Sequence, residues 1–142
     1  MAADPGDICY SIVVPVFNEE AVLPVLLRRL DILMDGLDGP AETIFVDDAS
    51  TDCSSIILRD KAKTDPRYRY IGLSRNFGHQ VAISAGMDAA AGQAVIIMDA
   101  GLRQIDTRNF VLLPWATPWM RRIERDLRKL PFGAQYVACG VV

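Results

Sequence analysis

The sequence predicts an α/β domain: a doubly wound, mostly parallel sheet with helices on both faces. Short runs of apolar, β-branched residues recur without the polar alternation of a half-exposed strand. Segments with apolar residues at helical spacing separate these runs. Each run also ends in a polar cluster, at the strand tips where open α/β sheets bind their ligands.

Tyr10 to Val16 (YSIVVPV) reads as the first strand. Asn18 to about Met34 follows as a helix, with Val22, Leu26, Leu30 and Leu33 on one stripe. Thr43 to Val46 (TIFV) is the second strand. The helix after it runs to about Lys63, and Ser50 or Asp52 is placed to cap it by accepting a first-turn N–H. Tyr68 to Leu73 (YRYIGL) is the third strand, Gln80 to Ala91 an alanine-rich third helix, and Ala94 to Met98 (AVIIM) the fourth strand. Right-handed connections between parallel strands place such helices over both faces.

At 142 residues the chain has the length of one domain. With 51% hydrophobic and 23% charged residues it is predicted to fold rather than stay disordered. The net charge of -3 gives no reason to expect nucleic acid as a partner. Cys9, Cys53 and Cys139 are scattered, which suggests neither a disulfide framework nor a zinc site. The first residues lack the basic start and apolar core of a signal peptide, and no apolar run approaches the roughly 20 residues that span a bilayer. The expected location is cytoplasmic.

The average charge conceals a break. Up to Leu102 there are 15 acidic and 8 basic residues, whereas from Arg103 onward there are 3 acidic and 7 basic ones. Both tryptophans, Trp115 and Trp119, lie in the second part. Two units are therefore expected: an α/β domain over 1–102 and an atypical basic tail over 103–142. In the tail, Met120, Ile123, Leu127 and Leu130 fall at helical spacing among Arg121, Arg122, Arg125, Arg128 and Lys129. A basic amphipathic helix of this kind lies on an anionic membrane surface or packs on the domain with a solvated basic face.

The strand tips carry the chemistry. Asn18-Glu19-Glu20, Asp47-Asp48, Ser74-Arg75-Asn76 and Asp99 would together form an acidic pocket with one arginine, suited to a diphosphate held through a divalent cation. At the first tip an amide and a carboxylate can accept hydrogen bonds from a ribose or a base. Glu19 and Glu20 would also favour the positive end of the helix they open. Adjacent acids at Asp47-Asp48 repel each other, which calls for a metal or base N–H groups to bind. Arg75 can make bidentate bonds to phosphate oxygens, and Gly78 permits a tight turn. His79, the single histidine, is expected to be structural. Asp99 stands where a cation could bridge sugar-nucleotide phosphates.

In order and spacing, SIVVPVFNEE, FVDDASTD, LSRNFGHQVAISAGMDAA and AVIIMDA resemble the family 2 glycosyltransferases of GT-A type across about residues 10 to 100. Within that family they look most like the polyprenyl-phosphate and dolichol-phosphate glycosyltransferases, and the SRNFGHQ segment is the most specific part. The resemblance implies the nucleotide-binding half of a GT-A domain. It implies that Pro15, Phe17, Asn18 and Glu19 line a nucleoside pocket, that Asp47 or Asp48 contacts the base, and that Arg75 approaches the lipid phosphate or the diphosphate. Asp99 with Ala100 would begin the DxD motif that holds Mg²⁺ or Mn²⁺. The implied reaction moves a hexose from a UDP- or GDP-linked sugar to a polyprenyl phosphate, with inversion, at the inner face of the cell membrane.

The family pattern continues Asp-Ala-Asp-Leu-Gln-Asp-Pro-Pro, whereas this chain has Asp99-Ala100-Gly101-Leu102-Arg103-Gln104. Gly101 removes the second acid, so cation binding should weaken. Ile105 to Phe110 loosely resembles a later acceptor-side segment, as an internal deletion would produce; a frameshift is the other simple origin. These departures predict weak or absent transferase activity for this chain. A sheet without its later strands would also expose an apolar edge and favour self-association. Two other readings are a nucleotide-binding module without catalysis and a phosphoacceptor signalling domain. The second lacks the Thr and Lys that such domains place after later strands.

Overall fold

The computed structural model describes residues 7–100 and the strand Ala138–Gly140. In chain order the described elements are β1 (Tyr10–Val16), α1 (Leu23–Gly36), β2 (Ala41–Asp47), α2 (Ser54–Thr64), β3 (Tyr68–Gly72), α3 (His79–Ala89), β4 (Ala94–Ile97) and β5 (Ala138–Gly140). The sheet order is β3-β2-β1-β4-β5. The first four of these strands are parallel, with β1 paired to β2 along its whole length and to β4 from Tyr10↔Ala94 to Val13↔Ile97. β5 runs antiparallel to β4, from Ala94↔Gly140 to Ile96↔Ala138, so the β4 edge expected to be open carries a strand.

Both faces are covered, as the unbroken apolar strands predict. On one face Ile12, Val14, Val16, Phe45, Tyr68 and Ile96 pack with Leu23, Leu26 and Leu30 of α1 and Leu58 of α2. Phe45 and Tyr68 stack there with ring centroids 5.9 Å apart. On the other face Ile44 and Val46 pack with Ala82 of α3, flanked by Ala85 and Ala89. The alanine content of α3 is what allows close approach. A Cβ added at Gly86 would stand only 2.3 Å from Val13 Cγ1 and 3.1 Å from Val46 Cγ2. Gly86→Ala is therefore expected to destabilise the domain by about 2 kcal/mol despite its better helix propensity, through overpacking read as a lower denaturation midpoint in urea.

The helix starts depart from the sequence expectation. α1 begins at Leu23 rather than Asn18, with Pro24 in its first turn, where a missing N–H costs nothing. Asn18 has φ 51, a left-handed conformation that no right-handed helix continues. Glu19 and Glu20 consequently sit in the loop ahead of α1, whose first turn holds no acidic residue. At α2, Asp52 does accept the Ser54 N–H at 2.9 Å, while the Ser50 hydroxyl accepts the Asn18 N–H at 3.0 Å. α3 begins one residue earlier than predicted and ends at Ala89, two residues sooner. β2 extends back to Ala41 and so takes in Glu42.

Glu42 organises the amino-terminal end of the sheet. Its carboxylate is 4% exposed and accepts the Ser11 hydroxyl at 2.6 Å, the Ala91 N–H at 2.9 Å and Arg69 Nη1 at 3.1 Å. Ser11 Oγ in turn accepts the Gly92 N–H at 2.8 Å. The connection from α3 to β4 is thereby tied to β1, β2 and β3. The position of Gly101, the segment 105–110 and the expected amphipathic helix lie outside the described residues.

Candidate functional site

An open cleft of about 390 Å³ lies at the carboxyl ends of the strands, lined by Pro15, Val16, Phe17, Glu19, Asp48, Asn76, Gly78, His79, Ala82 and Asp99. Its position follows from strand order. β1 lies between β2 and β4, so the chain winds in opposite directions on its two sides, and a crevice opens where they part. The Met98 N–H reaches the Val13 carbonyl at 2.9 Å, whereas the Asp48 N–H reaches Val16 at 2.9 Å on the β2 side. Alternation then turns Pro15 toward β4, past the last β1–β4 pair, where no ladder donor is required.

The loop after β1 is fixed by the loop after β2. The Asn18 amide oxygen accepts the Thr51 N–H at 2.8 Å, the Asp52 N–H at 3.3 Å and the Thr51 hydroxyl at 3.3 Å. The Glu19 N–H donates to Ser54 Oγ at 3.0 Å and the Glu20 N–H to Asp52 Oδ2 at 3.2 Å. The Glu20 carboxylate accepts the Cys53 N–H at 2.8 Å. The nearby Glu20 carboxylate also pushes the Cys53 thiol up from its ordinary range, by hydrogen bond and by charge. Burial works against ionised Asp52, but hydrogen bonds from Ser54 and the Glu20 backbone outweigh it and hold its carboxyl low.

The two acids after β2 divide. Asp47 turns away from the cleft, accepting the Tyr70 hydroxyl at 2.9 Å and the Ser50 N–H at 3.0 Å. Burial first, and then this bond to Asp47, push the Tyr70 phenol up. Asp48, 5% exposed, lines the cleft and accepts the Phe77 N–H at 2.8 Å on Oδ1 and the Gly78 N–H at 3.0 Å on Oδ2. Gly78, with φ 100, turns the chain into α3.

Among the candidate residues, Pro15, Phe17, Glu19, Asp48 and Asp99 therefore share one cleft. Asn18 and Asp47 are taken up by neighbouring loop and strand groups, and Ala100 is buried in the core. Arg75 is exposed on the loop that supplies Asn76 and Gly78 to the cleft, its guanidinium 4.7 Å above the Phe77 ring. Asn76 lines the cleft with the polar cluster expected at the third strand tip, and His79 lines it although it was expected to be structural. The signal for them was present in SRNFGHQ, the most specific stretch of the sequence. Among the described residues no group of three potential metal ligands comes together. Asp99 offers one carboxylate, and Gly101 has no side-chain donor to add to it.

This parallel α/β sheet with its cleft at the switch point has the GT-A fold of the solved glycosyltransferases that it matches. Residues 11–102 match the profile of glycosyl transferase family 2, and the chain belongs to that family. It is 51% identical over 94 residues to YkcC of Bacillus subtilis, named as an uncharacterized glycosyltransferase, covering 66% of this chain and 29% of that protein. It is 43% identical over 95 residues to the undecaprenyl-phosphate 4-deoxy-4-formamido-L-arabinose transferase of Aeromonas hydrophila, with coverage of 66% and 29%. The chain thus spans under a third of the length of the curated relatives it matches. The S. aureus TarS fragment solved with UDP-GlcNAc superposes with a TM-score of 0.58 at 26% identity, covering 66% of this chain and 26% of that one. The mannosyltransferase PcManGT of Pyrobaculum calidifontis, solved with GDP-Man and Mn²⁺, gives 0.53 at 29% identity, covering 70% and 30%.

Proposed function

We propose that the cleft binds the nucleoside diphosphate of a UDP- or GDP-linked sugar, as the donor half of an enzyme that transfers a hexose to a polyprenyl phosphate. The observation that carries this reading is the gathering of Glu19, Asp48, Asn76, His79 and Asp99, from four strand tips, around one open cleft at the carboxyl end of the sheet. The names of the relatives support the lipid acceptor, and the ligands of the similar structures support the donor. Pro15 and Phe17 give the cleft an apolar wall for the base, Glu19 an acceptor for ribose hydroxyls, and Asp48 a carboxylate edge near the base. Arg75 is placed on the rim for a phosphate of the donor or of the acceptor lipid.

A divalent cation bound with the donor would neutralise diphosphate charge. Asp99 is the residue to hold it, but a single carboxylate leaves most of the coordination to phosphate oxygens and water. With Gly101 in place of a second acid, this chain is a donor-binding unit with little or no turnover of its own. Its place would be the cytoplasmic side of the membrane, as a peripheral protein; no helix among the described residues is long and apolar enough to cross a bilayer.

Calorimetry of the 142-residue chain with UDP and with GDP, with and without MnCl₂, tests the reading. Saturable binding of one nucleotide is expected, tightened only weakly, by about threefold or less, when Mn²⁺ is present. No binding at millimolar nucleotide would dismiss the function. Turnover of UDP-glucose or GDP-mannose with polyprenyl phosphate at the rate of a full-length relative would instead show that Gly101 is no impairment.

A further inference from the structure

We infer that His79 is a ligand-contacting residue of the cleft, directed at the anionic diphosphate of the bound nucleotide and held in place by Asp48. The inference rests on the nucleotide-binding reading above and adds to it a recognition group. It stands on three observations of different kinds.

The first is position. His79 is the opening residue of α3 and an exposed member of the cleft lining, which also includes Glu19 and Asp99. The second is its freedom. A structural histidine spends its ring nitrogens on fixed partners, as a buried polar group must. No hydrogen bond or ion pair engages the His79 imidazole among the described residues, whereas the Glu19 and Asp99 groups are engaged. The third is the way its backbone is placed. Asp48, almost fully buried, uses both carboxylate oxygens on the consecutive N–H groups of Phe77 and Gly78, the two residues that precede His79. Gly78 supplies the positive φ that this turn requires. A buried carboxylate spent in this way fixes the backbone that enters α3 and so places His79 on the cleft lining.

Charge then decides which part of a ligand it meets. The described lining contains three carboxylates, from Glu19, Asp48 and Asp99, and no lysine or arginine. His79 is the one lining side chain among the described residues that can carry a positive charge toward an anion, Asn76 offering only a neutral amide N–H. A nucleoside offers it neutral acceptors only, whereas a diphosphate offers anionic ones, which bind a cationic donor more strongly. Asp48 acts through the loop and is a positioning residue for His79.

The test compares the unmodified 142-residue chain with His79→Ala and His79→Lys by calorimetry, using uridine, guanosine, UDP and GDP at fixed MnCl₂. His79→Ala is expected to weaken the preferred nucleoside diphosphate about fivefold to tenfold and leave the matching nucleoside within twofold. His79→Lys, which keeps a cationic donor, is expected to recover most of the loss. Because the side chain is exposed, both variants should keep the circular dichroism spectrum and melting temperature of the unmodified chain. Equal diphosphate binding by His79→Ala, or an equal loss for nucleoside and diphosphate, overturns the inference while leaving nucleotide binding intact. Failure of the unmodified chain to bind any of the four probes overturns the reading and the inference together.

Discussion

Asp48→Ala is expected to free the Phe77–Gly78 peptide, accelerate hydrogen exchange at those two amides by at least about tenfold, and weaken nucleotide binding about tenfold or more. Both N–H groups now meet a carboxylate, at 2.8 and 3.0 Å, and charge-assisted bonds of this kind are worth about 1.5–3 kcal/mol each. Alanine removes both acceptors at once and leaves the peptide facing the cleft without a protein partner. The turn at Gly78, held at φ 100, then relaxes among the many conformations that glycine permits. One wall of the cleft is lost with it, since Asn76, Gly78 and His79 all belong to that stretch. Asn at the same position keeps one acceptor oxygen, so Asp48→Asn should fall between the two. Asp47→Asn provides the contrast, because Asp47 binds Tyr70 and Ser50 rather than the cleft wall. Its effect on nucleotide affinity should stay within about twofold. Unchanged exchange at residues 77 and 78 in Asp48→Ala would show that the loop does not depend on this carboxylate.

The contrast between these adjacent acids marks what the sequence could and could not convey. That FVDDASTD ends a buried strand in acids is visible from composition, because an apolar run of that length must stop where the chain meets water. Which acid faces the cleft depends on the pleat, and on Tyr70 arriving from β3 to claim the other one. The same limit explains the start of α1. Apolar spacing at Leu26, Leu30 and Leu33 correctly gives the helix face, although Val22 falls at the cap ahead of it, and periodicity carries no information about Asn18. Its left-handed backbone is held by bonds to Ser50, Thr51 and Asp52, more than 30 residues later in the chain. The pattern of SRNFGHQ held the site more fully than a residue-by-residue weighing allowed. A lone loop histidine is ordinarily structural, and only the geometry shows His79 lining the cleft with no hydrogen bond to its ring among the described residues. The change of composition near residue 101 was legible as charge alone, and the family match ends at the same place, residue 102.

Glu42→Ala is expected to destabilise the domain by about 3 kcal/mol without altering the affinity of the folded protein for nucleotide. Glu42 lay just outside the predicted second strand; the structure extends that strand back to Ala41 and buries Glu42. Its burial is tolerable because every near neighbour answers it: a hydroxyl from β1, a guanidinium from β3 and an N–H from the connection into β4. Removing the carboxylate leaves the Ala91 N–H without its acceptor, strips Arg69 of its counter-charge, and opens a cavity that none of these groups is long enough to fill. Glu42→Gln, with its oxygen in the Oε1 position, keeps the acceptor shared by the Ser11 hydroxyl and the Ala91 N–H, gives up the one facing Arg69, and should lose about half as much. The measurement is the urea midpoint together with its slope. A lower midpoint at unchanged slope reports lost native stability, whereas a changed slope would mean that the denatured state had moved. Because Glu42 lies at the amino ends of the strands and the cleft at their carboxyl ends, calorimetry well below the midpoint should return the unmodified affinity. Asp48→Ala is expected to behave in the opposite way, losing binding in conditions where it remains folded. If Glu42→Ala weakened nucleotide binding as strongly as it lowered the midpoint, the two ends of the sheet would be coupled through β1. The cleft would then depend on how firmly its far end is tied.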